Sequence, residues 1–282
     1  MEERVAEILI KFLSKYGVKY GFVYAGHTNL PLLYAIKYES NIKGITTRRE
    51  DQAVFMADAY WRMRREPPPA IVVVTTGPGV SNTIPAIANA FFDSSLFIML
   101  VGITPTQWTD RARLEETYRY APEHWMDVMK PITKRVVYVN RPDLALEMLV
   151  RTINYAINGR PGPVSIHIPV DIQYHKIDSS KIWIDPDKSI RRVRIAPDPE
   201  AVSKAADLIL KAERPVILAG GGIHNSQAWS ELREFVDTFY IPVATTFMGK
   251  GSLPEDHPLN LGVAGICGTG HASRAVREAD VL

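Results

Sequence analysis

Cysteine is almost missing: Cys267 is the single one in 282 residues, which excludes an internal disulfide and points to a reducing compartment. With Ile266 and Gly268 on either side and no motif around it, Cys267 is expected to be a small buried filler. Long hydrophobic runs are missing too. No stretch of about eighteen apolar residues occurs, so no membrane span is expected. The charged start Met1-Glu-Glu-Arg-Val5 lacks the form of a secretory signal, and the expected location is cytoplasmic. Nor does one sign of charge prevail, with 33 basic against 31 acidic residues and a net charge of +2. Short basic clusters at Arg62-Met-Arg-Arg65 and Arg191-Arg-Val-Arg194 read as solvated faces or oligomer salt-bridge positions, and nucleic acid is not an expected partner.

An apolar content of 46% suits a globular chain with a sizeable core. Its pattern alternates. Val5, Ile8, Leu9 and Phe12 recur at helical spacing up to Gly17, a short strand begins at Tyr20, and Asn29 is placed to cap a helix over Leu30–Tyr38. Apolar runs at Ile42–Thr46, Ala70–Thr75, Phe97–Gly102 and Pro163–Pro169 read as strands, and helices are expected between them. This order predicts an α/β fold with a doubly wound parallel sheet, whose strand-to-helix loops share one edge. The predicted domains are residues 1–175, a proline-punctuated linker over 176–198, and a truncated Rossmann-like α/β domain over 199–282. Asp280-Val-Leu282 looks like the opening of a further strand, so the chain is expected to be a fragment or one piece of a split enzyme.

Three segments fall on that shared edge. Arg48-Arg-Glu50-Asp-Gln-Ala-Val-Phe-Met-Ala-Asp-Ala-Tyr60 puts Glu50 where a strand gives way to a helix, a position equally suited to an ordinary first-turn acid. Thr75-Thr-Gly-Pro-Gly-Val-Ser-Asn82 is a glycine loop entering a helix, without the Lys-Ser/Thr ending of a Walker sequence. Tyr24-Ala-Gly-His27 carries a histidine that is either an acid–base group or incidental.

Taken together, these segments resemble the thiamine diphosphate-dependent 2-oxoacid decarboxylase and carboligase superfamily, in its acetolactate synthase-like branch. The family's Arg-His-Glu-x-x-Ala-x-x-Met-Ala-x-x-Tyr helix and Thr-Ser-Gly-Pro-Gly-x-x-Asn loop match residues 48–60 and 75–82. Phe92-Asp-Ser94, Met129-Lys-Pro-Ile-Thr-Lys134, Gly159-Arg-Pro-Gly-Pro-Val164 and Ile168-Pro-Val-Asp171 continue the likeness. Ala212-Glu-Arg-Pro-Val-Ile-Leu-Ala-Gly-Gly-Gly222, Gly249-Lys-Gly251 and His257-Pro258 extend it into the central domain.

The resemblance implies that residues 1–175 bind the pyrimidine half of thiamine diphosphate. Glu50 would activate the aminopyrimidine, and Tyr24, Ala25, Thr75, Pro78 and Asn82 would contact the cofactor. Ala25 replaces the family's usual proline. His27 stands where decarboxylases of this group often carry an aspartate, which implies a proton-donor role. The Phe-Gln-Glu segment of acetolactate synthases falls at Tyr120-Ala-Pro122, with Glu115 and Glu116 nearby but out of register. No Gly-Asp-Gly…Asn motif is present, so magnesium and diphosphate ligands are expected from a C-terminal domain outside this chain or from a separate subunit. A second subunit would complete the site, which implies a homodimer or tetramer. Some members carry FAD in the central domain. The alternative reading is a non-catalytic or regulatory paralogue that pairs with a true enzyme subunit.

Overall fold

The computed structural model describes residues 2–108 and 124–282, so Glu115, Glu116 and Tyr120-Ala-Pro122 lie outside the described residues. It divides into two compact units, residues 1–194 and 195–282.

In the first unit, six parallel strands form one sheet. They are β2 (Tyr20–Val23), β3 (Lys43–Thr46), β4 (Ile71–Val74), β5 (Ile98–Ile103), β6 (Arg135–Tyr138) and β7 (Val164–Pro169), in the order β3-β2-β4-β5-β7-β6. The direction of travel decides which face each helix covers. Helices α2 (Leu30–Tyr38) and α7 (Ala145–Ile157) join strands that step one way along the sheet. Helices α3 (Glu50–Arg64) and α5 (Ile84–Phe92) join strands that step the other way. Right-handed crossovers must then lie on opposite faces. The core confirms this. Ile71, Val73, Ile98, Leu100, Val164 and Ile166 pack with α1 (Val5–Tyr16), α2 and α7, while Val72, Val74, Met99 and Val101 pack with α3 and α5. Strand β4 is wholly buried because both of its faces are covered, and each of its side chains stabilises the fold by about 1.5–3 kcal/mol.

Residues 176–194 belong to this first unit. The short strand β1 (Glu2–Arg4) pairs antiparallel with β8 (Lys176–Asp178), and Ile177, Ile182, Ile184 and Ile190 pack against the larger core. Apolar residues spaced among charges and prolines dock this segment on the first unit. The basic cluster on α3 is likewise engaged: Arg62 bridges Asp58 at 2.9 Å and Asp93 at 2.6 Å.

The second unit has three parallel strands, β9 (Ile217–Ala219), β10 (Val243–Thr245) and β11 (Asn260–Val263), in the order β11-β10-β9. Leu232 and Val236 of the helix Trp229–Phe239 pack on this sheet, as does Ala272 of the helix Gly270–Glu278. Val281 forms a single isolated parallel bridge with Pro215. Cys267 overturns expectation. It is exposed, in the loop between β11 and the helix Gly270–Glu278, where Ile266 beside it is also fully solvent-facing. No described helix is long and apolar enough to cross a membrane.

Candidate active site

Strand order reverses around β2: the chain goes from β2 to β3 on one side, then crosses to β4 on the other. The crevice at such a point, beyond the C-terminal ends of the strands, is where open α/β sheets bind ligands. The loops after β2, β3 and β4 all reach it, and they carry the three motifs.

Glu50 is the first residue of α3 and is only 6% exposed. The turn that delivers it is braced. The Thr47 backbone N–H donates to the Val23 carbonyl at 3.0 Å, its hydroxyl donates to the Arg49 carbonyl at 2.8 Å, and the Arg48 N–H donates to Gln52 Oε1 at 3.3 Å. The helix N-terminus favours a negative group there. Glu50 is also joined to a neighbouring loop, since Asn82 Nδ2 donates to Glu50 Oε2 at 3.0 Å across 32 residues of sequence. Asn82 closes the short helix α4 (Pro78–Ser81), whose first residue, Pro78, is exposed. A buried carboxyl with a neutral amide as its partner thus stands at the start of α3, just after the loop that follows β3.

The first loop is stapled from within. The Tyr24 backbone N–H donates to the Val73 carbonyl at 3.0 Å. Asn29 Nδ2 donates to the Tyr24 carbonyl at 2.9 Å, and Asn29 Oδ1 accepts from the Gly26 N–H at 3.0 Å. Asn29 therefore does not cap α2 with its side chain, as its position suggested; both ends of the amide are spent on the loop behind it. Thr75, 6% exposed, meets the loop through a 2.6 Å contact between its hydroxyl and that of Thr28. Gly26 permits this closeness, because a Cβ there would stand 2.6 Å from the Thr75 side chain. Ala25 and His27 are exposed.

The structure thus joins Glu50 to Asn82 and Thr75 to the Tyr24 loop. Sequence reasoning missed Thr28 and Gln173, which lie beneath that loop. A Thr between a loop histidine and an asparagine, and a Gln in the turn after β7, carry no signal until the sheet brings them together.

This chain belongs to the thiamine pyrophosphate enzyme family. Residues 3–130 match its N-terminal TPP binding domain and residues 202–282 its central domain. It is 40% identical over 279 residues to a probable acetolactate synthase large subunit of Methanocaldococcus jannaschii, covering 98% of this chain and 46% of that protein. It is 33% identical to an acetolactate synthase of Arthrospira platensis, over 97% of this chain and 47% of the relative. Against the chloroplastic acetolactate synthase of Arabidopsis thaliana the identity is 31%, over 98% and 40%. The chain therefore spans under half the length of these curated relatives.

Proposed function

We propose that this chain supplies the pyrimidine-facing half of an acetolactate synthase-like active site, with Glu50 as the group that handles a proton at the aminopyrimidine of thiamine diphosphate. The observation that carries this reading is the buried Glu50 carboxyl at the switch-point crevice, oriented by Asn82. When bound, thiamine diphosphate supplies a carbanion centre that adds to 2-oxo acids. The residues present fit its aromatic half: a buried carboxyl able to hydrogen-bond a ring nitrogen stands beside the Thr75–Gly79 and Tyr24–Gly26 loops, which are packed tightly enough to form a shaped wall. Asn82 holds one carboxyl oxygen of Glu50, which sets where the other points. Tyr24, Ala25, Thr75 and Pro78 are assigned to the surface against the pyrimidine. His27, exposed on the same loop, is assigned as a proton donor toward substrate.

The relatives' additional length is assigned the magnesium and diphosphate ligands, whether in the same polypeptide or in a partner. Pairing of subunits as a dimer or tetramer is supported by the apolar side chains that α3 and α5 leave exposed, among them Met63 at 85% and Phe92 at 72%. FAD or an adenine nucleotide is assigned to the second unit, where the Gly220–Gly222 turn and the Phe247–Gly249 turn follow parallel strands at one sheet edge. A cytoplasmic setting agrees with the single, exposed thiol.

The test is Glu50→Gln in the chain joined to the C-terminal half that its relatives carry. Turnover of a 2-oxo acid with magnesium thiamine diphosphate should fall by about 10²-fold or more, while the circular dichroism spectrum stays unchanged. The chain alone should be inactive. An unchanged rate in the variant removes Glu50 from the mechanism, and turnover by the isolated chain removes the two-part site.

A further inference from the structure

We infer that Gln173 is a positioning residue that sets the candidate site from behind, by holding Thr28 and, through it, Thr75 and the Tyr24–His27 loop. Only its effect on the cofactor rests on the function proposed above.

Gln173 ends the turn that follows β7, in the short helix α8 (Val170–Tyr174), and it is fully buried. Its Nε2 donates to two backbone carbonyls, those of Thr28 at 2.8 Å and Ile168 at 2.7 Å. Both amide hydrogens are thereby used, while Oε1 is buried with no hydrogen-bond partner among the described residues. Turning the amide round would set its oxygen against two carbonyl oxygens, so the orientation is fixed. A glutamine retained only to fill space would gain by becoming a hydrocarbon, because its orphaned oxygen is a cost. Its two donors are what the position uses.

Thr28 passes the constraint on. It too is fully buried, and its hydroxyl donates to the Gly102 carbonyl at 2.7 Å. That hydroxyl has one hydrogen, so in the 2.6 Å contact with Thr75 the Thr75 hydroxyl is the donor. The Thr28 backbone lies flat on the end of β5, where a Cβ on Gly102 would stand 2.1 Å from the Thr28 carbonyl oxygen. Gly102 therefore blocks inward movement and Gln173 prevents outward movement. With Tyr24 tied to Val73 at the other end, the Ala25–His27 stretch is fixed at both ends.

Hydrogen exchange of the whole chain, free of any ligand, tests the coupling directly. In Gln173→Leu, peptides covering residues 24–30 should exchange about tenfold faster, and those from the second unit should not change. Gln173→Glu provides a pH signature: its ionised carboxylate donates nothing and repels both carbonyls, so the same peptides should loosen as pH rises through the carboxyl range and tighten below it. If Gln173→Leu does not fold, Gln173→Glu carries the test alone at the two pH extremes. Wild-type exchange at residues 24–30 in Gln173→Leu, or a loop in Gln173→Glu that ignores pH, overturns the inference. In the chain joined to its C-terminal half, Gln173→Leu should raise the thiamine diphosphate concentration for half-activation about tenfold and change the saturated rate less. A loosened loop together with a wild type that ignores thiamine diphosphate would uphold the coupling and refute the function proposed above.

Discussion

His167 gives the clearest quantitative consequence of the fold. It lies mid-strand in β7, opposite Val101 of β5 and Tyr138 of β6, and is only 1% exposed. Its Nε2 is 3.0 Å from the Ser165 hydroxyl on the same sheet face. Burial pushes its pKa from the ordinary 6.5 down to about 3, because a charged imidazolium cannot be solvated there. The sign follows from proton binding. Below 6.5 the unfolded chain takes up a proton that the folded chain refuses, so the full stability is present above pH 6.5 and is lost progressively as pH falls toward 3. Integrated from pH 8 to pH 5, the loss is about 2 kcal/mol. Urea unfolding of the wild type and of His167→Gln over this range measures it. The variant starts from its own stability, so the slope with pH is the readout. Wild type should lose about 2 kcal/mol more than the variant by pH 5. Parallel curves would refute the buried neutral imidazole.

Two further outcomes test particular contacts. Lys134 Nζ donates to the Tyr155 and Asn158 carbonyls at 2.6 and 2.8 Å, closing the C-terminal end of α7, and Lys134→Met should cost about 1–3 kcal/mol in urea unfolding. Gly102→Ala forces a methyl group into the Thr28 carbonyl, so it should destabilise by about 1–3 kcal/mol and loosen residues 24–30 in hydrogen exchange.

Much of this molecule is local. The bounds of α1 and α2 follow from apolar spacing, Gly17 and the Tyr38 end, since a helix period and its breakers are set within a few residues. The buried strands β4, β5 and β7 announce themselves as apolar runs because both of their faces are covered. Strand β6 does not. It lies at the sheet edge, is partly exposed and reads Arg-Val-Val-Tyr, too short and mixed to stand out. The motif residues around Glu50 and Thr75–Asn82 were legible as a family pattern, and their order along the chain already placed them on one sheet edge.

Tertiary structure alone decided the rest, because each remaining feature joins residues far apart in the chain. The Glu50–Asn82 bond exists because strand order reverses around β2. Asn29 looked like a helix cap, yet its side chain staples the preceding loop, a choice between two nearby sets of backbone groups that packing makes. Cys267 looked like a core filler and is exposed, since one small residue carries no information about which side of a loop meets solvent. Gln173 reaches Thr28 across 145 residues, a distance that only the sheet closes. The sequence determined the chemistry on offer at the edge of the sheet; the fold determined which groups face one another there, and what holds them in place.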